Sequence, residues 1–274
     1  MERDCTEKSE KPLRFDEYGF TLVELMAVIG ILSLLIMLAL GPVRGAFQSA
    51  SLAVSANNIR QLSAGSMTYL GDNEFRFWRY REVVQPEDGQ EAGVRWWFGF
   101  ETLSSLRAAE GERQFDPDLG PLAGYVPAGL SPDPSFGQAG RAFKPKYRFG
   151  YIGIGYNVLL ADHDGHAQRG WMGRGDPARL HQLNDPEQTV IFATSAQVNN
   201  FQRPATPRRP MIEEFYGIDD QEKTVHFRHN GRAMVAFANG ASGLLEMHPD
   251  TLDQRAPDAQ IGRFAPRGNA RYLR

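Results

Sequence analysis

"GFTLVELMAVIGILSLLIMLALGP", residues 19–42, decides how the rest of the chain is read. From Phe20 to Gly41 the run is apolar. As a helix rising ~1.5 Å per residue it would extend about 33 Å, close to a hydrocarbon layer of about 30 Å. One carboxylate, Glu24, sits in its first turn, and no basic residue accompanies it. A charged side chain at mid-depth in a bilayer costs roughly 2.5–3.5 kcal/mol, less near the interface, so Glu24 needs a partner. Thr21 and Glu24 form a Thr-x-x-Glu capping box, in which the carboxylate would satisfy backbone N–H groups at the start of an anchor helix. A secretory signal peptide fits less well, because the run exceeds a usual signal core and no clear Ala-x-Ala site follows it. Arg3, Lys8, Lys11 and Arg14 precede the run, whereas Arg44 and Arg60 are the first basic residues after it. That bias places the N-terminus in the cytoplasm and the bulk of the chain outside.

Composition narrows the classes further. The chain has 274 residues, 42% of them hydrophobic, which suffices for a packed core. Its 30 basic and 33 acidic residues nearly balance, pointing neither to a nucleic-acid binder nor to an acidic tail. Cys5 is the single cysteine, so no intramolecular disulfide can form. Removal of the first 19 residues would leave none, which suits an oxidising compartment.

Gly19, Phe20, Thr21, Leu22 and Glu24, running straight into the apolar span, resemble the cleavage and methylation site of type IV prepilins and type II secretion pseudopilins. The resemblance implies that a prepilin peptidase cuts after Gly19 and methylates the new N-terminal Phe20. It also implies that Glu24, then the fifth residue, pairs with the N-terminal amine of a neighbouring subunit during filament assembly. A new α-amine with a reference pKa near 7.7–8.0 and a carboxylate need each other at low dielectric. The leader, residues 1–19, holds four basic and six acidic residues where the family usually has a basic one. Acidic residues weigh little in topology, so the expected orientation stands.

Beyond Pro42, expected to kink the helix, Leu52, Ala56, Ile59, Leu62, Ser66 and Tyr69 recur at three- and four-residue spacing. The helix should therefore continue as an amphipathic half over 42–70, after the transmembrane half over 20–41, and stop at Gly71-Asp72-Asn73. At about 50 residues it would be roughly 75 Å long, giving the lollipop form of pseudopilins. "NNIRQLSAGSMTYLGDN", residues 57–73, also resembles the matching stretch of pseudopilin-like proteins, its polar residues reading as the solvated helix face.

Residues 71–274 change to short β-prone runs separated by Pro- and Gly-rich segments, predicting a β-rich head with a loop insertion over about 111–146. The fold class is thus α+β, a long N-terminal helix packed on an antiparallel sheet. Trp96-Trp97 and Tyr147-Phe149-Tyr151 could form a sugar-binding platform, although aromatic residues in strands are more often core. "KTVHFRHNGRAMVAFANGASGLLEM" reads as a β-meander over about 223–247, with strands near 223–229, 232–238 and 241–247. Asn230-Gly231 and Asn239-Gly240 are expected as type I′ turns. This segment resembles the prepilin-type processing-associated domain marked by histidine, nine residues, then Asp-Gly. His229 and Gly240 match, and Asn239 replaces the aspartate. One strand length separates His229 from Asn239 by roughly 20–30 Å, so the motif reads as fold chemistry rather than a catalytic pair.

Other candidate chemistry is sparse. Asp162 and Asp164, before Gly165, are weak calcium candidates, short of the six or more oxygens a calcium loop requires. His163 and His166 lack a third ligand nearby for a transition metal. No Walker, dinucleotide, Gly-x-Ser-x-Gly or His-Glu-x-x-His motif occurs, and Ser195 alone hints at a hydrolase. The basic tail "RFAPRGNARYLR" reads as solvated, with no nucleic acid expected. The sequence thus predicts a non-enzymatic subunit without cofactor. Its expected partners are a prepilin peptidase, other pilin or pseudopilin subunits, the bacterial inner membrane, and the secretion or pilus machinery. The head would lie in the periplasm or at the cell surface. The alternative is a membrane-tethered carbohydrate- or protein-binding protein.

Overall fold

The computed structural model describes residues 20–86, 91–126, 130–138, 143–148 and 152–274, with the side chains of 39–44 outside that description. The chain divides into two units, one ending at Ala46 and one covering Phe47–Arg274. A single helix, α1 (Leu22–Asp72), enters both.

In the first unit the helix begins where the sequence supplies a cap. The Thr21 backbone N–H and hydroxyl both donate to the Glu24 carboxylate, at 2.9 and 2.8 Å, and the Glu24 backbone N–H donates to the Thr21 hydroxyl at 3.3 Å. These bonds satisfy donors that a helix start otherwise leaves open. The large apolar side chains from Leu22 to Leu38 are exposed. Among the described residues no helix is long and apolar enough to cross a membrane. The described side chains of the apolar run end at Leu38, roughly 25 Å of helix. The span expected over 20–41 is therefore carried by the sequence rather than by the described helix.

The second unit holds β1 (Arg81–Val84), β2 (Gly93–Trp96), β3 (Gly99–Thr102), β4 (Ile154–Asn157), β5 (Val190–Thr194), β6 (Gln197–Asn199) and β7 (Met211–Glu213). They are followed by β8 (Gly217–Ile218), β9 (Val225–His226), β10 (Arg232–Phe237), β11 (Ser242–Glu246) and β12 (Ile261–Gly262). The central sheet has the order β11-β10-β5-β4-β8, antiparallel except for the parallel β4–β8 pair. β1-β2-β3 form a separate antiparallel meander, and β6–β7 and β9–β12 pair apart from both.

Strand β10 shows how the sheet is covered on both faces. Met234 and Ala236 point into a core shared with Ala56, Ile59, Leu62 and Leu70 of α1, while Ala233 and Val235 pack with Phe227, Phe264 and Leu273. Alternation along the strand thus feeds two cores rather than one core and solvent. The C-terminal segment forms the second layer. The Val190 N–H donates to the Tyr272 carbonyl at 2.7 Å, and the Asn157 amide donates to the Leu273 carbonyl at 2.9 Å. The tail expected to be solvated is therefore tied to the sheet.

The expected meander differs at its first strand. β10 and β11 form the predicted hairpin, but β9 pairs with β12 and not with β10. The Phe227 N–H donates to the Gln260 carbonyl, which turns the chain away before it can join the central ladder. The two Asn-Gly turns also differ from each other. Asn230 and Gly231 both have positive φ, 53° and 76°, and His229 and Arg232 exchange both backbone bonds, as a two-residue I′ turn requires. At the other turn only Gly240 has positive φ, +89°, and the Asn239 side-chain oxygen accepts from the Ala241 N–H at 2.9 Å. That is a three-residue turn, closed by the Phe237 N–H donating to the Ala241 carbonyl.

Candidate functional site

Two places bear on function: the helix start around Glu24, and the polar surface where the second half of α1 meets the head. At the first, Gly19 lies outside the described residues, and Phe20 is exposed next to the Thr21–Glu24 box. The carboxylate is spent on Thr21 alone among the described residues. This is a local arrangement, and a new amine on Phe20 would arise one residue before Thr21.

At the second place the structure corrects the sequence reading. Ser51, Ser55, Asn58, Ser63 and Ser66 of α1 are buried, so Asn58 and Ser63, read as part of a solvated face, belong instead to the docking face, and Ser51 and Ser55 extend it. Asn57 and Arg60 keep the exposed side. The predicted stripe of Ala56, Ile59 and Leu62 is buried as expected, with the hydroxyls flanking it. Burial of a hydroxyl requires a partner, and the insertion at 111–146 supplies several. Its described residues Tyr125, Ser131 and Asp133 meet α1, with Tyr125 edge-on to Tyr69 at 5.4 Å between ring centres. Gly65 allows the approach, since a Cβ there would stand 2.7 Å from the Tyr125 carbonyl oxygen. Asn58 and Ser131 exchange two bonds, at 2.7 and 3.1 Å.

Asp133 is the centre of this surface, and nothing in the sequence marked it. Its carboxylate accepts from Ser51 at 3.3 Å, from Ser55, and from the Ser135 N–H at 2.9 Å. The Arg228 guanidinium donates to it at 2.7 and 3.2 Å, with the two side chains 4% and 1% exposed. Burial alone would raise the Asp133 pKa, but Arg228, Ser135 and Ser55 overcome that and hold the carboxyl well below the usual range. Arg228 also donates to the Gly153 carbonyl at 2.9 Å and meets His226 Nδ1 at 3.2 Å. Because guanidinium has no acceptor, His226 Nδ1 must be unprotonated and accept that bond.

His229 and the Asn239-Gly240 pair sit at opposite ends of β10 and do not come together. Both ends of the strand reach α1, however. Arg228, beside His229, joins Ser51 and Ser55 through Asp133, and the Gly240 carbonyl accepts from the Ser63 hydroxyl at 2.8 Å. The nine-residue spacing thus measures one strand with its two turns, placed to grip the helix twice. His229 is buried and its Nε2 has no partner among the described residues. Burial, with Arg228 adding to it, lowers its pKa to about 4. Asn239 contributes the side-chain oxygen that an aspartate would also supply.

The remaining candidates have structural partners. Asp162 accepts from the backbone N–H groups of Asp164 and His166, and Asp164 pairs with Arg169 at 2.5 Å. Among the described residues no group of three or more His, Cys, Asp or Glu side chains is placed to hold a metal ion. His163 Nε2 lies 3.3 Å from the Gln182 amide. Ser195 is buried, with its hydroxyl donating to the Phe215 carbonyl. Trp97 and Tyr147 are core residues, and Trp96 is half-buried with its indole N–H on Glu101 at 3.0 Å. They do not form an exposed platform; Phe149 and Tyr151 lie outside the described residues.

Comparison with known proteins bears on the helix start. No curated protein and no solved structure matches the chain. A family model for the prokaryotic N-terminal methylation motif matches residues 14–40, spanning Gly19, Phe20, Glu24 and the apolar run. That match fits a prepilin-type subunit whose leader is processed.

Proposed function

We propose that the chain is a non-enzymatic pilin-like subunit, cut after Gly19 by a prepilin peptidase and assembled through α1 into a type II secretion pseudopilus or type IV pilus-like filament. The observation that carries this reading is the methylation-motif match over residues 14–40, which coincides with the Gly19-Phe20 bond and Glu24. The apolar side chains from Leu22 to Leu38 need cover. The inner membrane supplies it in the precursor, and neighbouring subunits supply it in the filament. In this account the N-terminus is cytoplasmic and the head lies in the periplasm or at the cell surface. The clasp around Asp133 gives the head a fixed position on one face of the second half of α1, which a repeating filament requires of each subunit.

Incubation of the purified full chain with a prepilin peptidase in detergent tests the processing step. Loss of residues 1–19 is expected, and Gly19→Val is expected to block it, because a branched side chain replaces the hydrogen at the cut bond. An uncut wild-type chain would count against the proposal.

A further inference from the structure

Away from α1, an open pocket of about 490 Å³ lies between the segments 221–223, 253–255 and 263–267. Four cations line it, Lys223, Arg255, Arg263 and Arg267, against the carboxylates of Glu222 and Asp253. One pair cancels, since Arg255 holds Asp253 in a two-pronged contact at 2.7 and 3.0 Å. Lys223 donates to the Leu252 carbonyl at 3.0 Å and acts on Asp253 only from a distance, since Arg255 already holds that carboxylate.

Arg263 is the unusual member. It is only 9% exposed, yet its guanidinium makes one bond, from Nη1 to the Gln221 carbonyl at 3.0 Å, and its Nε–H is buried without an acceptor. Asp219, Asp220 and Glu222 act on it from a distance, and none forms an ion pair with it. Asp219 is already committed to the Trp171 indole N–H and to two backbone N–H groups. Exposed Arg267 sits close enough to repel it. A guanidinium offers five donors in a fixed fork suited to oxyanions, and one that is largely buried with no carboxylate bonded to it is disfavoured until an anion meets it.

We infer that this pocket is a binding site for a phosphate group, held by Arg263 from below and by Lys223 and Arg267 at the rim. With Arg255 paired to Asp253, Lys223, Arg263 and Arg267 outnumber the one other lining carboxylate, Glu222, an excess of positive charge that favours a dianion over a monoanion. The inference is independent of the assembly role and of the Glu24 region.

Calorimetric titration of the full chain in detergent micelles, at fixed ionic strength set with chloride, tests it. Saturable one-to-one binding of inorganic phosphate is expected, with acetate at least about fivefold weaker. Arg267→Ala and Lys223→Ala, at the accessible rim, should each weaken phosphate binding by at least about fivefold, and Arg263→Gln should abolish it. Arg271→Ala, exposed elsewhere on the tail, should bind as wild type. Tighter binding of glycerol 3-phosphate would assign a phosphomonoester, and tighter binding of inorganic phosphate would assign the free ion; both support the site. Absence of saturable binding, wild-type affinity in both rim variants, or equal affinity for acetate would overturn it.

Discussion

Glu24→Ala is expected to leave cleavage after Gly19 intact and to reduce filament incorporation to background. Among the described residues the carboxylate bonds to Thr21 alone, so its removal takes away one exposed cap, too little to unfold a helix of 51 residues. In the proposed filament the loss would be much larger. The Phe20 ammonium of a neighbour would enter an apolar environment with no counter-charge, a penalty of several kcal/mol per subunit that repeats along the assembly. Membrane and sheared-filament fractions, compared by immunoblot, read both steps. Processed Glu24→Ala protein confined to the membrane fraction is the expected result, and normal incorporation would remove the pairing argument.

Asp133→Ala should destabilise the head by about 3–5 kcal/mol, because it strands the buried Arg228 guanidinium without its carboxylate. Ser55→Ala should cost about 1 kcal/mol, the usual scale of a single hydrogen bond. The double variant Asp133→Ala/Arg228→Met should recover much of the loss, since both charges are then gone. All four tryptophans lie in the second unit, so urea unfolding followed by their fluorescence reports on this part of the molecule. An Asp133→Ala midpoint equal to wild type would contradict the clasp. The same measurement carries a pH dependence. His226 and His229 have folded pKa values below the unfolded ~6.5, so the unfolded chain binds protons first. Their contribution is fully present above about pH 6.5; that of His229 is lost as pH falls toward about 4, and that of His226 falls in the same direction. Asp133, also depressed, contributes fully above the ordinary carboxylate range and loses that contribution progressively as pH falls through that range toward its own lowered pKa.

Much of this was legible along the chain. Thr21 with Glu24 announced the helix start, Gly71-Asp72-Asn73 its end, and the Asn230-Gly231 dipeptide its I′ turn. These signals are local, with all the atoms involved a few residues apart. The clasp was not legible for the opposite reason. Ser51 and Ser55 meet Asp133 across 82 and 78 residues, and Ser63 meets Gly240 across 177. A serine on a helix looks solvated until its distant acceptor is known, so Ser63 reads as part of the solvated face, and nothing in the spacing singles out Ser51 or Ser55. Asn239-Gly240 shows a smaller version of the same limit. The dipeptide marked the turn, but the Asx bond to Ala241 and a single left-handed residue selected the three-residue form. For the assembly site the position differs again. The sequence names Gly19, Phe20 and Glu24, and in the proposed filament the partner of Glu24 would belong to another copy of the chain.

The mature N-terminus tests the central claim most directly. Intact-mass and fragment analysis of the chain recovered from native membranes should show it beginning at Phe20 with a methyl group on the α-nitrogen. A chain that still begins at Met1 would contradict the account, leaving Glu24 as the cap of an ordinary anchor helix.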